Sequence, residues 1–159
     1  MQNASASLDE AMPGVTINAD AGRTLETGGL VIDGESSDAG VLDWVRNDEG
    51  EYARYVIGTG NNDAGGMPID AVEEIVSCLG PEKEIYFVTM CSLLNMDATD
   101  TTNQAIEDAV SRYPNVHKID WYAYLDEREF DILRDGVHVY RDCEPDYAAC
   151  IKEGLDIVY

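Results

Sequence analysis

The sequence predicts an α/β fold of three layers, with helices on both faces of a parallel sheet. Three observations predict it. Short apolar, β-branched runs recur at Val15–Ala19, Tyr55–Ile57, Glu84–Thr89 and Val116–Trp121. Stretches of helical period, about ten residues long, alternate with them. The Glu84–Thr89 run is almost wholly apolar in its middle, as a parallel strand covered on both faces must be. A length of 159 residues suits one domain, 1–159, with a true core.

In chain order, Ala4 to Met12 reads as a helix with Leu8 and Met12 on one side, stopped by Pro13-Gly14. Val15–Ala19 alternates and reads as a strand, followed by Ala21-Gly22-Arg23. The glycine-rich stretch 26–40 reads as loop, interrupted by a short extended Leu30-Val31-Ile32. Val41–Val45 gives one or two helical turns, with Asp38 as candidate cap. Tyr55–Ile57 is a strand running into the Gly58–Asp63 loop. Asp70–Leu79 is a helix with Ala71, Val72, Ile75, Val76 and Leu79 on one face, ended by Gly80-Pro81. After the Glu84–Thr89 strand, Cys91–Asp100 reads as loop and Thr102–Tyr113 as an amphipathic helix ended by Pro114. Val116–Trp121 is the last strand, Asp126–Leu133 a short helix or loop, and Pro145–Leu155 the closing helix.

Charge narrows the function. Ten Lys and Arg against 32 Asp and Glu leave a net charge of −22. Phosphate backbones and anionic membranes demand a basic footprint, so a nucleic-acid partner is disfavoured. No apolar run approaches the roughly 20 residues of a membrane span, and Met1-Gln2-Asn3-Ala4 opens no signal peptide. The four cysteines, Cys78, Cys91, Cys143 and Cys150, form no CxxC pair, which argues against zinc. Buried free thiols are the expectation, and two disulfides in any of three connectivities the alternative.

In parallel α/β sheets, sites lie outside the carboxyl ends of the strands. Three loops fall there: Ala21-Gly22-Arg23, Gly58–Asp63 and Thr89-Met90-Cys91. Near the end of the chain stands Asp135-Gly136-Val137-His138, an acid followed three residues on by an imidazole. A serine-type triad needs such a pair, the imidazole to take a proton and the acid to fix its tautomer. An oxyanion needs N–H donors, for which Gly22 offers a backbone amide and Asn62 a side-chain amide. Each residue taken singly also reads as a simple turn residue. His117 lies inside a strand and reads as structural.

The order of these pieces resembles the SGNH hydrolase family. The closer resemblance is to the extracellular catalytic domain of peptidoglycan O-acetyltransferases. It rests on Val15–Arg23, Arg54–Asn62, Leu79–Thr89, Asn103, Tyr113–Tyr122 and Asp135–Ile151, including the Tyr147-Ala148 pair, and covers almost the whole chain. The resemblance implies a flavodoxin-like sheet. It implies Asp135 and His138 as triad acid and base, and Gly22 and Asn62 as the oxyanion hole. It implies acyl transfer through an acyl-serine to or from a glycan hydroxyl, with no cofactor and no metal. It further implies a location on the outer face of a bacterial membrane or wall, and an integral-membrane acyltransferase domain upstream; in that setting Cys143 and Cys150, flanking the start of the last helix, are the candidate staple.

One departure stands out. The family's serine, in a Gly-Asp-Ser block after the first strand, has no counterpart here. Met1–Ala4 matches the opening of the helix that follows that serine. The expectation is therefore a shortened chain lacking the first strand and inactive by itself. Ser36 and Ser37 follow a strand-like run but come in the wrong order; Ser5 and Ser7 sit in the first helix; Cys91 would need a depressed thiol pKa. The alternative is a non-catalytic remnant that binds a glycan or a partner protein. A phosphate-binding domain lacks support, since no glycine-rich fingerprint opens a helix.

Overall fold

The structure, a computed structural model, describes residues 4–19, 21–28, 39–48, 50 and 52–155. Its helices are α1 (Ser5–Ala11), α2 (Val41–Arg46), α3 (Ile69–Leu79), α4 (Met96–Arg112), α5 (Trp121–Asp126) and α6 (Glu144–Gly154). Its strands are β1 (Arg54–Ile57), β2 (Glu84–Val88) and β3 (Val116–Ile119), paired in the order β1-β2-β3 and parallel throughout. Tyr55 stands opposite Ile85, and Phe87 opposite Lys118.

Strand alternation divides the core. Ile85, Phe87 and Val116 point to one face, under α2, α3 and α4, with Leu42, Val72, Ile75 and Ile106. Val88 and Ile119 point to the other, under α1, α5 and α6, with Leu8, Leu125, Tyr147 and Ile151. The result is the α/β/α sandwich with a parallel, flavodoxin-like sheet that the sequence predicts. No helix among the described residues is long and apolar enough to cross a membrane.

Four elements differ from expectation. Val15–Ala19 is not a strand. Alternation extends a chain, but a strand also needs a neighbour's peptide groups. From Thr16 to Ala19 no backbone N–H or C=O is hydrogen-bonded among the described residues. Ile17 packs on the same cluster as Val56 of β1, and Tyr52 donates its hydroxyl to Thr16 Oγ1 at 3.0 Å. The outer edge of β1 is likewise unpaired among the described residues.

Helix α4 begins at Met96, well before Thr102. The Asn95 side chain caps it, accepting the Ala98 N–H at 3.2 Å. Thr99, read from the sequence as loop, and Thr102 are fully buried because their hydroxyls accept the N–H groups of Ser92 (3.0 Å) and Met67 (2.7 Å). Trp121 opens α5 instead of ending a strand, because Asp120 accepts the Ala123 N–H at 3.0 Å and turns the chain. The indole then stacks on Tyr124 and meets Tyr147 edge-on. The N-cap of α2 is Gly40. Asp38, the Leu30–Ile32 piece, Ser36, Ser37 and Met1 lie outside the described residues.

Candidate active site

The Asp135–His138 turn is built locally. An antiparallel bridge between Leu133 and Val139 closes its base, and the Arg134 N–H donates to the His138 carbonyl at 2.7 Å. Within it, Asp135 Oδ1 accepts the backbone N–H groups of Val137 (3.2 Å) and His138 (2.8 Å). The sharp reversal needs φ +82° at position 136, where glycine stands.

The same carboxylate lies 3.1 Å (Oδ1) and 3.0 Å (Oδ2) from His138 Nδ1. A carboxylate there accepts the Nδ1 proton and selects the tautomer whose Nε2 carries a lone pair. His138 Nε2 makes no hydrogen bond among the described residues, and about half of the side chain is exposed. The Asp135 carboxyl is held well below the usual carboxylate range, first by the His138 backbone N–H and then by the imidazole and the Val137 N–H. Arg134 approaches from the solvent side, at 3.3 Å from Oδ2.

Gly22 and Asn62 form a second group. Asn62 Nδ2 donates to the Arg23 carbonyl at 3.0 Å, so the loop after β1 grips the segment carrying Gly22. Asp63 adds another tie, accepting the Leu25 N–H at 3.1 Å. Burial raises the Asp63 pKa, and its buried Oδ2 makes no hydrogen bond among the described residues. Arg23 is buried, bonds Asn18 Oδ1 at 2.8 Å and lies over the Trp44 ring.

No hydrogen bond joins these two groups directly among the described residues. The loop after β2 connects them. Leu93 donates its N–H to the Gly136 carbonyl at 2.8 Å, and Asn95 Nδ2 donates to the Ala64 carbonyl at 3.0 Å. The sequence reading assigned this loop no such part. An Asn three residues ahead of Ala98 was the available sign of a helix cap there. The Ala21–Arg23 segment, the loops after β1 and β2, and the Asp135–His138 turn are thus tied together, directly or through a neighbour.

Other candidates fall away from this group. Cys91 is buried and its thiol is pushed up to about 11 by burial, the reverse of what a nucleophile requires. All four cysteines are free, so Cys143 and Cys150 form no staple. His117 is paired with Glu84 across β2 and β3 and packs on Tyr86, a surface arrangement of the sheet. No described serine hydrogen-bonds to His138. A hollow of about 240 Å³ beside Lys118, Tyr124 and Glu153 contains none of the predicted site residues. Among the described residues no group of three or more His, Cys, Asp or Glu is placed to hold a metal ion.

Comparison with solved structures places the fold. The chain is similar to the C-terminal catalytic domain of peptidoglycan O-acetyltransferase A (OatA) of Streptococcus pneumoniae, in a structure with a methylsulfonyl adduct. The TM-score is 0.78 at 20% identity, over 97% of this chain and 86% of that one. No family model and no curated protein matches the chain. The chain shares the fold of that domain.

Proposed function

We propose that this domain is an SGNH-type serine acyltransferase or esterase acting on O-acetyl groups of a cell-surface glycan, peptidoglycan or another polysaccharide. The observation that carries the reading is the Asp135–His138 pair: Nδ1 is turned to the carboxylate while Nε2 stays open.

In this reading a serine hydroxyl attacks the ester carbonyl and passes its proton to His138 Nε2. Asp135 stabilises the imidazolium without taking the proton. The Gly22 N–H and the Asn62 amide receive the developing oxyanion. Collapse releases the alcohol with the proton from His138 and leaves an acyl-serine. Water or a sugar hydroxyl then attacks, again giving its proton to His138, and frees the serine. The choice between them separates esterase from transferase.

The serine itself belongs, in this proposal, to a further parallel strand lying between β1 and Val15–Ala19. Two stretches without backbone pairing among the described residues support that placement: the outer edge of β1 and the Thr16–Ala19 segment. In this proposal that strand would supply peptide partners to both, at the spacing of about 4.8 Å that hydrogen-bonded strands keep. The 159 residues by themselves are then inactive. The natural context is the outer face of a bacterial membrane or wall, with an integral-membrane acyltransferase domain upstream as the acyl supplier.

Acetyl-ester turnover by the 159-residue chain and by a form extended upstream tests this. Activity confined to the extended form and abolished by His138→Ala is the expected result. Activity in the short chain that Ser37→Ala abolishes reassigns the nucleophile. No activity in either form favours a non-catalytic glycan-binding domain.

A further inference from the structure

The first half of α4 turns a polar row toward the strand-end loops: Asn95, Thr99 and Thr102 follow one another at helical spacing, with Asn103 beside the last. Every member bonds loop backbone. Asn95 holds Ala64 of the loop after β1, and Thr99 holds Ser92 of the loop after β2. Asn103 clamps Met90, its Oδ1 accepting the Met90 N–H at 2.7 Å and its Nδ2 donating to the Met90 carbonyl at 3.0 Å. Thr102 alone of the row bonds both loops with one atom. Its hydroxyl accepts the Met67 N–H at 2.7 Å from the loop after β1 and donates to Met90 Sδ at 3.4 Å in the loop after β2. The residue is fully buried. Two glycines let the first loop close over it: a Cβ would stand 3.0 Å from Thr102 Oγ1 at Gly60 and 2.6 Å from it at Gly66. Asn62 lies between those two glycines in sequence. In the second loop, Leu93 follows Met90 and donates to the Gly136 carbonyl within the Asp135–His138 turn.

We infer that Thr102 is a positioning residue of the active site, setting Asn62 and the His138 turn relative to one another through the two loops it joins. The inference rests on the active-site reading given above. Filling the space does not require this residue, since valine has nearly the same shape. The hydroxyl adds a partner for a buried N–H and fixes the direction from which the loop approaches. Without it the Met67 N–H is buried and unsatisfied, and the loop relieves that cost by shifting. Asn62 shifts with it. An oxyanion donor acts only within hydrogen-bond reach of the charge that develops, so a small displacement lowers turnover more than binding.

Acetyl-ester turnover by the upstream-extended form carrying Thr102→Val, Thr102→Ser or Ile106→Val tests this. Ile106 is fully buried in the core one turn further along α4, so its variant reports lost stability alone. Thr102→Val is expected to lower kcat about tenfold to a hundredfold with KM changed less than about twofold. Thr102→Ser keeps the hydroxyl and is expected to return kcat to within about threefold of the parent. Ile106→Val is expected to leave kcat unchanged. Equal kcat in Thr102→Val and Ile106→Val, or a loss that serine does not recover, overturns the inference and leaves the active-site reading standing. An extended parent without His138-dependent turnover overturns the active-site reading and the role of Thr102 with it. Hydrogen exchange on the 159-residue chain needs no variant to fold. The Met67 N–H is expected to exchange at least about a hundredfold more slowly than in an open peptide. Exchange at the open rate overturns the inference.

Discussion

Asn62 Nδ2 donates to the Arg23 carbonyl across 3.0 Å, so one loop orients an amide by gripping the loop that carries the other proposed donor, Gly22. A primary amide has two N–H groups, and this bond uses one while pointing the other. Asn62→Ala is expected to lower kcat of an upstream-extended, active form by about 100- to 1000-fold with little change in KM. Loss of the bond to Arg23 is expected to cost about 1 kcal/mol in denaturant unfolding. A loss of stability with unchanged kcat would confine Asn62 to a structural tie.

The Asp135 carboxyl lies below its unfolded value, so its contribution to stability has a definite sign. The contribution is complete above the unfolded pKa of about 3.9 and is lost as pH falls through the folded value. Asp135→Asn is therefore expected to shift the unfolding midpoint near neutral pH, with the difference from the parent chain shrinking below about pH 4. Carbon-13 titration of the Asp135 carboxyl checks the cause directly. A carboxyl titrating at the ordinary value would mean that the His138 and Val137 N–H bonds do not hold in solution.

Phe87 sits in the central strand with no exposed surface, beneath α3 and α4. Phe87→Ala is expected to destabilise the domain by about 3–5 kcal/mol through lost burial and the cavity left behind. Urea unfolding measures it.

Two neighbouring glycines provide a paired test. At Gly66 φ is +74°, and a Cβ would stand 2.3 Å from the Ala98 carbonyl oxygen on α4. At Gly65 nothing lies within 4 Å. Gly66→Ala is expected to lower Tm markedly, since backbone would have to move in addition to the about 1–2 kcal/mol of left-handed strain. Gly65→Ala is expected to be neutral or slightly stabilising. Equal effects would show that the 60–67 loop does not dock on α4 in this way.

The four thiols differ in access. Cys78 is exposed on α3, Cys143 is intermediate, and Cys91 and Cys150 are buried with thiols pushed up to about 11 by burial. A thiol reagent on the native protein is expected to modify Cys78 first and Cys91 and Cys150 only on unfolding, as peptide mapping would show.

The sequence by itself determined the layers and most element centres. Ala71, Val72, Ile75 and Val76 recur at helical spacing and Ile85–Val88 form a covered apolar run; periodicity of this kind is a local consequence of which face is buried. It also made the Asp135–His138 pair legible, because a turn closed over three residues is set by the glycine and carboxylate within it. Tertiary structure decided what depended on distant partners. Val15–Ala19 alternates like a strand, yet no described neighbour supplies peptide groups for it. Thr99 looks like a loop residue until Ser92 supplies an N–H group for its hydroxyl. Asn62 meets Arg23 across 39 positions, and Leu93 meets Gly136 across a gap the sequence does not mark. Hydrogen bonds between loops leave no periodic trace in a chain, because one donor and one acceptor suffice and nearly every residue carries both on its backbone.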